Sequence, residues 1–530
     1  MKQTKKKTNT RAASVRGDKA LTVMLTLRRK MDMSPRFLPL SQRRHLDVAQ
    51  TADAFAPDSA DISAVRRFAR AQGLKCIEVN RAGATILLSG TVAKFNHAFG
   101  VKLVHRRDKN SLPYLSHDQE VTVPGELRGV ITGVFGLDTR SATRRPHGRA
   151  HQMSGETIAP PPVTSKTRPP AEFASLYNFP RHTSGKGQCI GLLEFGGGFN
   201  PKELHSYFQS TGIKPAKIIV KGVRPGANDP QGKPGTLNPD TEVYLDIEVA
   251  ASLAPDATIV VYFGENTTKG WLSTLQAAIL DARHDLSVIS ISWGEAEQEW
   301  SLQAIKQIDD LFQLAAHRGI TICCSAGDRG ISEYDGRPFT VAFPASSPHV
   351  LACGGTRLEV RGKSSRNETV WNQWKQFRLA SGGGVSDVFP LPSYQQKANV
   401  PLRRSADRLT GRGIPDVAAN ASSDTGYLIE ANETRMSLGG TSAVAPLWAA
   451  LIARLTEALG RKIGFLTPVL YSPNAATSDA LFDITRGFNG ANRTHAFRAR
   501  RGWDPCTGFG SPNGEKLLRL LKSSITKDVK

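Results

Sequence analysis

Ser287-Val-Ile-Ser-Ile-Ser292 and Gly319-Ile-Thr-Ile-Cys-Cys324 are short apolar runs, and between them Leu302 to Ala316 carries apolar residues at helical spacing. Runs this short and this apolar suit strands buried on both faces. The pattern continues outward. Cys189-Ile-Gly-Leu-Leu-Glu-Phe195 and Thr258-Ile-Val-Val-Tyr-Phe263 read as further strands, and Leu272 to Ala282 as a helix. This alternation predicts an α/β domain with a parallel sheet and helices on both faces. Reactive groups should gather at the carboxyl ends of its strands.

A chain of 530 residues is too long for one hydrophobic core. Between Arg140 and Pro170 the periodicity stops, and Ala159-Pro160-Pro161-Pro162 and Arg168-Pro169-Pro170 give a linker composition open to proteolysis. Upstream, Leu21 to Leu27 alternates like a strand, and Ile62, Val65, Phe68 and Ala69 have helical spacing. Strands Cys76 to Val79 and Thr85 to Leu88, a helix from Val92 to Phe99 and one further strand complete a small α+β module. The expected boundaries are a basic tail over 1–19, this module over 20–140, a linker over 141–169 and the larger domain over 170–525.

The net charge is +22, of which +15 lies in residues 1–165 and +7 in the remainder. No basic-aromatic interleaving accompanies it, so the excess reads as a soluble basic leader and not as a nucleic-acid surface. No apolar run approaches the ~20 residues that cross a bilayer. Met1 to Lys7 is basic but is not followed by the apolar core of an ordinary secretory signal. The six cysteines show no metal-ligand spacing, and several sit in strand-like apolar surroundings where a thiol acts as a small hydrophobe.

The chemistry starts at Gly439-Gly-Thr-Ser-Ala-Val-Ala-Pro446, a tight glycine turn that delivers Ser442 to the start of an apolar helix expected over Ala443 to Leu459. A helix N-terminus favours negative charge developing beside it, although Ser and Thr are also ordinary N-caps. The Gly-Thr-Ser-x-x-x-Pro pattern is similar to the nucleophile segment of subtilisin-like proteases. The histidine that a subtilisin-type triad needs is missing from its usual Gly-Thr context.

Thr241-Glu-Val-Tyr-Leu-Asp-Ile-Glu-Val-Ala250 offers another base. Glu242 and Asp246 are four residues apart, which puts them on one helix face, close enough to share a proton. Such a pair can act as a base in acid, where a histidine is protonated. The same spacing also describes a solvated acidic face. Glu248 points elsewhere. In Ser325-Ala-Gly-Asp328, Asp328 is either a turn residue or, when protonated, a donor to an oxyanion.

Together, Glu242 to Ala250, Ser290-Ile-Ser-Trp-Gly294, Ala326-Gly-Asp328, Gly382-Gly-Gly-Val-Ser386, Gly413-Ile-Pro-Asp-Val417 and Gly439 to Ser442 resemble the sedolisins, or serine-carboxyl peptidases, and among them the kumamolisin-like branch. The resemblance spans about 170 to 525. It implies a subtilisin-like fold and an acid-active endopeptidase. In that scheme Ser442 is the nucleophile, Glu242 the base, Asp246 its support and Asp328 the oxyanion donor, with Glu194 and Trp293 extending the carboxylate chain. It further implies one structural calcium ion, held by the carboxylates of Asp483 and Asp504 and the carbonyls of Ile484, Arg500 and Gly502. Arg500 stands where glycine is usual in that branch.

Residues 20–140 resemble a pro-kumamolisin-type activation domain, through Phe55-Ala-Pro, Val65 to Gly73, Leu88-Ser-Gly-Thr91 and Ala98-Phe-Gly-Val101. The implied fold is ferredoxin-like. The implied roles are assisted folding and inhibition of the chain's own peptidase, released by cleavage in the linker. The expected partners are protein and peptide substrates, with neither nucleic acid nor membrane, and the mature enzyme is expected to be monomeric and extracellular. Two other readings stay open at this point: a subtilisin-type enzyme with a distant histidine, and a non-enzymatic binding protein on a protease fold.

Overall fold

The computed structural model describes residues 13–34, 38–108, 111–143, 159–223, 225–331, 339–361, 365–404, 407–473 and 479–526. The chain divides into two compact units. The smaller comprises residues 1–32, 49–142 and 266–272, and the larger 33–48, 143–265 and 273–530. The expected 20–140 module is therefore interrupted, since residues 33–48 group with the larger unit. Most of the expected tail and residues 144–158 of the linker lie outside the described residues.

In the smaller unit, strands β1 (Ala20–Leu27), β2 (Lys75–Asn80), β3 (Thr85–Thr91) and β4 (Ile131–Phe135) form one sheet in the order β2-β3-β1-β4. Every neighbouring pair is antiparallel. Helix α1 (Ser59–Ala71) links β1 to β2, and α2 (Val92–Phe99) links β3 to β4. This is the ferredoxin-like order. Its core joins Val23 and Leu25 to Ile62, Val65, Phe68, Phe95 and Phe99. The helical spacing of Ile62, Val65 and Phe68 thus does what it predicts.

The larger unit is built on strands β5 (Cys189–Glu194), β6 (Lys217–Gly222), β7 (Thr258–Phe263), β8 (Val288–Ile291), β9 (Thr321–Ser325), β10 (Leu351–Arg361), β11 (Ser365–Val370) and β12 (Val417–Asn420). Their order is β11-β10-β9-β8-β5-β7-β6, with β12 also on β10. All pairs are parallel except β10 with β11. Helices α3 (Pro239–Leu253), α5 (Leu302–His317) and α6 (Thr441–Leu459) belong to this unit, whereas α4 (Thr268–Ile279) begins in residues that group with the smaller one. α4 begins and ends earlier than its apolar spacing suggested. α6 starts at Thr441, two residues before the expected Ala443.

α3 and α6 form the core. Every residue of α3 is buried, and α6 is buried from Thr441 to Thr456. Asn238 caps α3 by accepting from the amides of Asp240 and Thr241. Gly440, at φ 85°, turns the chain into α6. α6 is 19 residues long and apolar enough to cross a membrane by length and composition, but it is 83 % buried within the protein. In the sequence, Arg454 and Glu457 interrupt the apolar run before it reaches that length. Where a charge is buried in this unit it can be paired: Asp416 accepts from Arg412 Nη1 and Nη2 at 2.7 and 2.6 Å, with both side chains fully buried.

Among the described residues no such cation pairs with the buried Glu297. Ser386 Oγ and the Asp387 amide donate to its carboxylate. Burial pushes its pKa up to about 7. The folded protein therefore gains stability from the neutral acid below about pH 4.5, and loses it as pH rises through about 7. With Ser442→Ala as the background, Glu297→Gln should match the parent at pH 4. It should lose about 3 kcal/mol less than the parent between pH 4 and pH 8, at ~1.4 kcal/mol per pKa unit. Denaturant unfolding at the two pH values checks this.

Candidate active site

β5 ends at Glu194 and β8 leads into Ser292 and Trp293, so neighbouring parallel strands carry both groups to the same end of the sheet. α3 brings Glu242 and Asp246 to them. All three carboxyls are buried, with Glu194 and Asp246 fully enclosed. This settles the choice left open by the Glu-Asp spacing, because the pair faces the protein interior and not solvent. Trp293 Nε1 donates to Glu194 Oε2 at 2.9 Å. Glu194 and Asp246 lie close enough to act on each other electrostatically. Ser292 Oγ lies 2.8 Å from each oxygen of Asp246.

Burial raises the pKa of both Glu194 and Asp246, and the neighbouring carboxylates raise Asp246 further. Trp293 and Ser292 oppose the shift by donating to the charged forms. Glu248 is fully buried on a different face of α3, where the Glu430 amide donates to it at 3.1 Å. Its pKa is also raised by burial.

Ser442 stands at the second residue of α6, nearly fully buried. It shares a cavity of about 600 Å³ with Ser292, Ser325, Asp328, Arg329 and Trp371. Asp328 Oδ1 accepts from both the amide and the hydroxyl of Thr441, each at 2.8 Å. The Gly327 amide donates to the same hydroxyl at 3.1 Å. The turn before the candidate nucleophile is thus tied to the loop after β9. Asp246, Glu242, Glu194 and Trp293 act on one another, Ser292 joins Asp246 to Ser442, and Asp328 shares the cavity of Ser442. Ser292 carries no local mark of this contact in the sequence, although it lies within the Ser290 to Gly294 motif at a strand's carboxyl end.

Part of the linker lines the same cavity through Ala159, Pro160, Pro161, Pro162 and Thr164. Strands β13 (Tyr427–Ala431) and β14 (Thr434–Leu438) form a hairpin beside it. The Ser437 amide donates to Pro161 O at 3.0 Å. After a turn closed by Thr164 and Thr167, the chain pairs with the other edge: Arg168 N donates to Gly426 O, and Leu428 N to Arg168 O.

Among the expected calcium ligands, hydrogen bonds join Arg500 to Asp504 and Gly502 to Asp483. Asp504 is fully buried and accepts from the amides of Cys506, Thr507 and Arg500. Burial pushes its pKa up to about 7. Asp483 accepts from the Gly502 amide at 2.8 Å through Oδ2, while its buried Oδ1 has no hydrogen-bond partner. The Arg500 guanidinium donates to the carbonyls of Trp503 and Asn399. An orphaned carboxylate oxygen, on a loop bonded to the segment that carries a second buried carboxylate, fits a hard cation. Among the described residues no group of three or more His, Cys, Asp or Glu is placed to hold a metal, so such an ion would depend on backbone carbonyls as well.

Residues 11–140 match the family model of the pro-kumamolisin activation domain, and residues 226–476 match that of the subtilase family. The chain is 41 % identical over 526 residues to kumamolisin of Bacillus sp. (strain MN-32), covering 97 % of this chain and 94 % of that protein. It is 29 % identical over 503 residues to sedolisin of Pseudomonas sp. (strain 101), covering 90 % and 81 % respectively. The structure of Pseudomonas sedolisin, a serine-carboxyl proteinase complexed with two molecules of pseudo-iodotyrostatin, aligns with a TM-score of 0.61 at 28 % identity. That alignment covers 68 % of this chain and all of the other. With its large parallel sheet and the ferredoxin-like unit ahead of it, the chain belongs to the sedolisin family of serine peptidases and carries a kumamolisin-type activation domain.

Proposed function

We propose that this zymogen yields an acid-active serine-carboxyl endopeptidase in which Ser442 attacks the peptide carbonyl. Glu242 takes the proton of the Ser442 hydroxyl as the C–O bond forms. Asp246 shares the proton load with Glu242, and Glu194, held by Trp293, extends the pair. The tetrahedral oxygen meets the N-terminus of α6 and the neutral carboxyl of Asp328, whose Oδ1 is engaged by Thr441. Collapse expels the amine with the proton returned from Glu242 and leaves an acyl-enzyme. Water, deprotonated by the same pair, then hydrolyses it. The observation that carries this reading is the burial of three carboxyls, Glu194, Glu242 and Asp246, with Ser292 linking Asp246 to the serine at a helix N-terminus. Burial of Glu194 and Asp246 beside other carboxyls favours retained protons on these two groups, and that suits work in acid.

Activation is cleavage in the linker, where Ala159 to Pro162 line the cavity that holds Ser442. The mature peptidase acts outside the cell as a monomer on proteins and peptides, without nucleic acid or membrane. Calcium is a structural ion, held by the carboxylates of Asp483 and Asp504 with the carbonyls of Ile484, Arg500 and Gly502. Bound there, it would supply a fixed positive centre between the two C-terminal segments that carry these ligands. Because the Arg500 side chain is drawn onto two carbonyls, the glycine usual there is dispensable for the fold, though the added charge weakens the ion's hold.

Ser442→Ala should abolish both activity and self-processing, read by mass spectrometry of the purified chain. Glu242→Gln should lose activity across pH ~3–8, whereas the parent cleaves a denatured protein only in acid and shows a new N-terminus between 141 and 169. Activity near neutral pH that survives Glu242→Gln would return the base to a histidine. A calcium chelator should lower the melting temperature of the Ser442→Ala protein. Arg500→Gly should tighten calcium binding by up to about tenfold, as measured by calorimetry; no change would show that the side-chain charge does not reach the ion.

A further inference from the structure

Ser292 has one hydroxyl proton and faces three acceptors. Asp246 Oδ1 and Oδ2 are each 2.8 Å away, and the backbone carbonyl of Ser442 is 3.2 Å away. That carbonyl has a particular need. In an α-helix it would accept from the amide four residues on, but that residue is Pro446, which has no N–H. The carbonyl is buried with Ser442, where a polar group left unsatisfied is costly. Ser292 is itself fixed, because Ser325 Oγ donates to its carbonyl at 3.0 Å.

The two protonation states of Asp246 divide this proton differently. When Asp246 is a neutral acid, its own O–H can donate to Ser292 Oγ, and the Ser292 proton is free for the Ser442 carbonyl. All three groups are then satisfied in one line. When Asp246 is ionised it claims the Ser292 proton, since a hydrogen bond to a charged acceptor is the stronger one. The Ser442 carbonyl then loses that donor. The other side of the same turn hangs on Asp328, through the amide and hydroxyl of Thr441.

We infer that Ser292 is a positioning residue that couples the protonation of Asp246 to the backbone of the nucleophile, so that the Ser442 turn is fully hydrogen-bonded only in the acid form. The inference rests on the carboxylate mechanism proposed above. The titratable groups around the relay are Asp246, Glu194 and Glu242, with Asp328 on the far side of the turn.

The test uses the mature enzyme released from the full chain, with kcat and KM followed over pH ~3–8 for Ser292→Ala, Ser292→Thr and Asp246→Asn. Ser292→Ala should lower kcat about 10- to 100-fold with KM within twofold. Its alkaline limb should move to higher pH, because ionised Asp246 has lost a donor. Ser292→Thr keeps the hydroxyl and should restore both the rate and the profile. A Ser292→Ala enzyme with the parental profile, or a loss that threonine does not repair, would overturn the relay. Asp246→Asn separates the two readings. If it abolishes activity while Ser292→Ala leaves the limb in place, only the relay fails. If Asp246→Asn keeps parental activity and profile, the carboxylate mechanism fails with it. Thermal melting of each variant at pH 4 shows whether the fold is kept.

Discussion

Glu194 and Asp246 are buried against neutral donors, an indole and a hydroxyl. The contrast lies within the same unit: Asp416 is enclosed with Arg412 and forms a two-bond ion pair. Glu194 and Asp246 instead face an indole N–H, a serine hydroxyl and each other. A carboxylate moved out of water into such surroundings is expensive unless it keeps a proton. Both groups consequently have raised pKa values in the fold. The stability they contribute is complete below the ordinary carboxyl range and is lost as pH rises through the folded values. Glu248 and Glu297 follow the same rule elsewhere in the unit. The fold and the proposed chemistry thus favour the same protonation state, and acid is the condition under which both are least strained.

How much of this was legible in the sequence follows the range of the contacts. The parallel sheet came from apolar runs of strand length separated by helical spacing, and β5, β7, β8 and β9 lie on those runs. The Glu242–Asp246 face and the Gly-Thr-Ser turn are local patterns, readable because helix period and turn chemistry act over a few residues. Burial of the pair was not readable, because it depends on β5, β8 and α6 closing around α3 from distant parts of the chain. The contacts of Ser292 with Asp246 and with Ser442 span 46 and 150 residues, and a serine before a tryptophan carries no local mark of either. The early start of α6 is a matter of where Gly440 turns, which apolar spacing does not fix.

The linker adds a constraint of a different kind. Pro161 is bonded to the edge of β14 at Ser437, while Arg168 is bonded to β13 at Leu428 and to Gly426 just before it. The segment between them passes from one edge of the hairpin to the other by way of the turn at Thr164 to Thr167. Proline donates no amide proton, so Pro160 to Pro162 can approach an edge only as acceptors, and one such bond is what Pro161 makes. Such a strand is held weakly, by a carbonyl and by apolar contact. Arg168 keeps both of its backbone bonds and adds an ion pair to Glu172. A cut between these two points would therefore separate a loosely held side that lines the Ser442 cavity from a firmly held side that stays on the hairpin. The cavity could open without loosening the start of the peptidase chain.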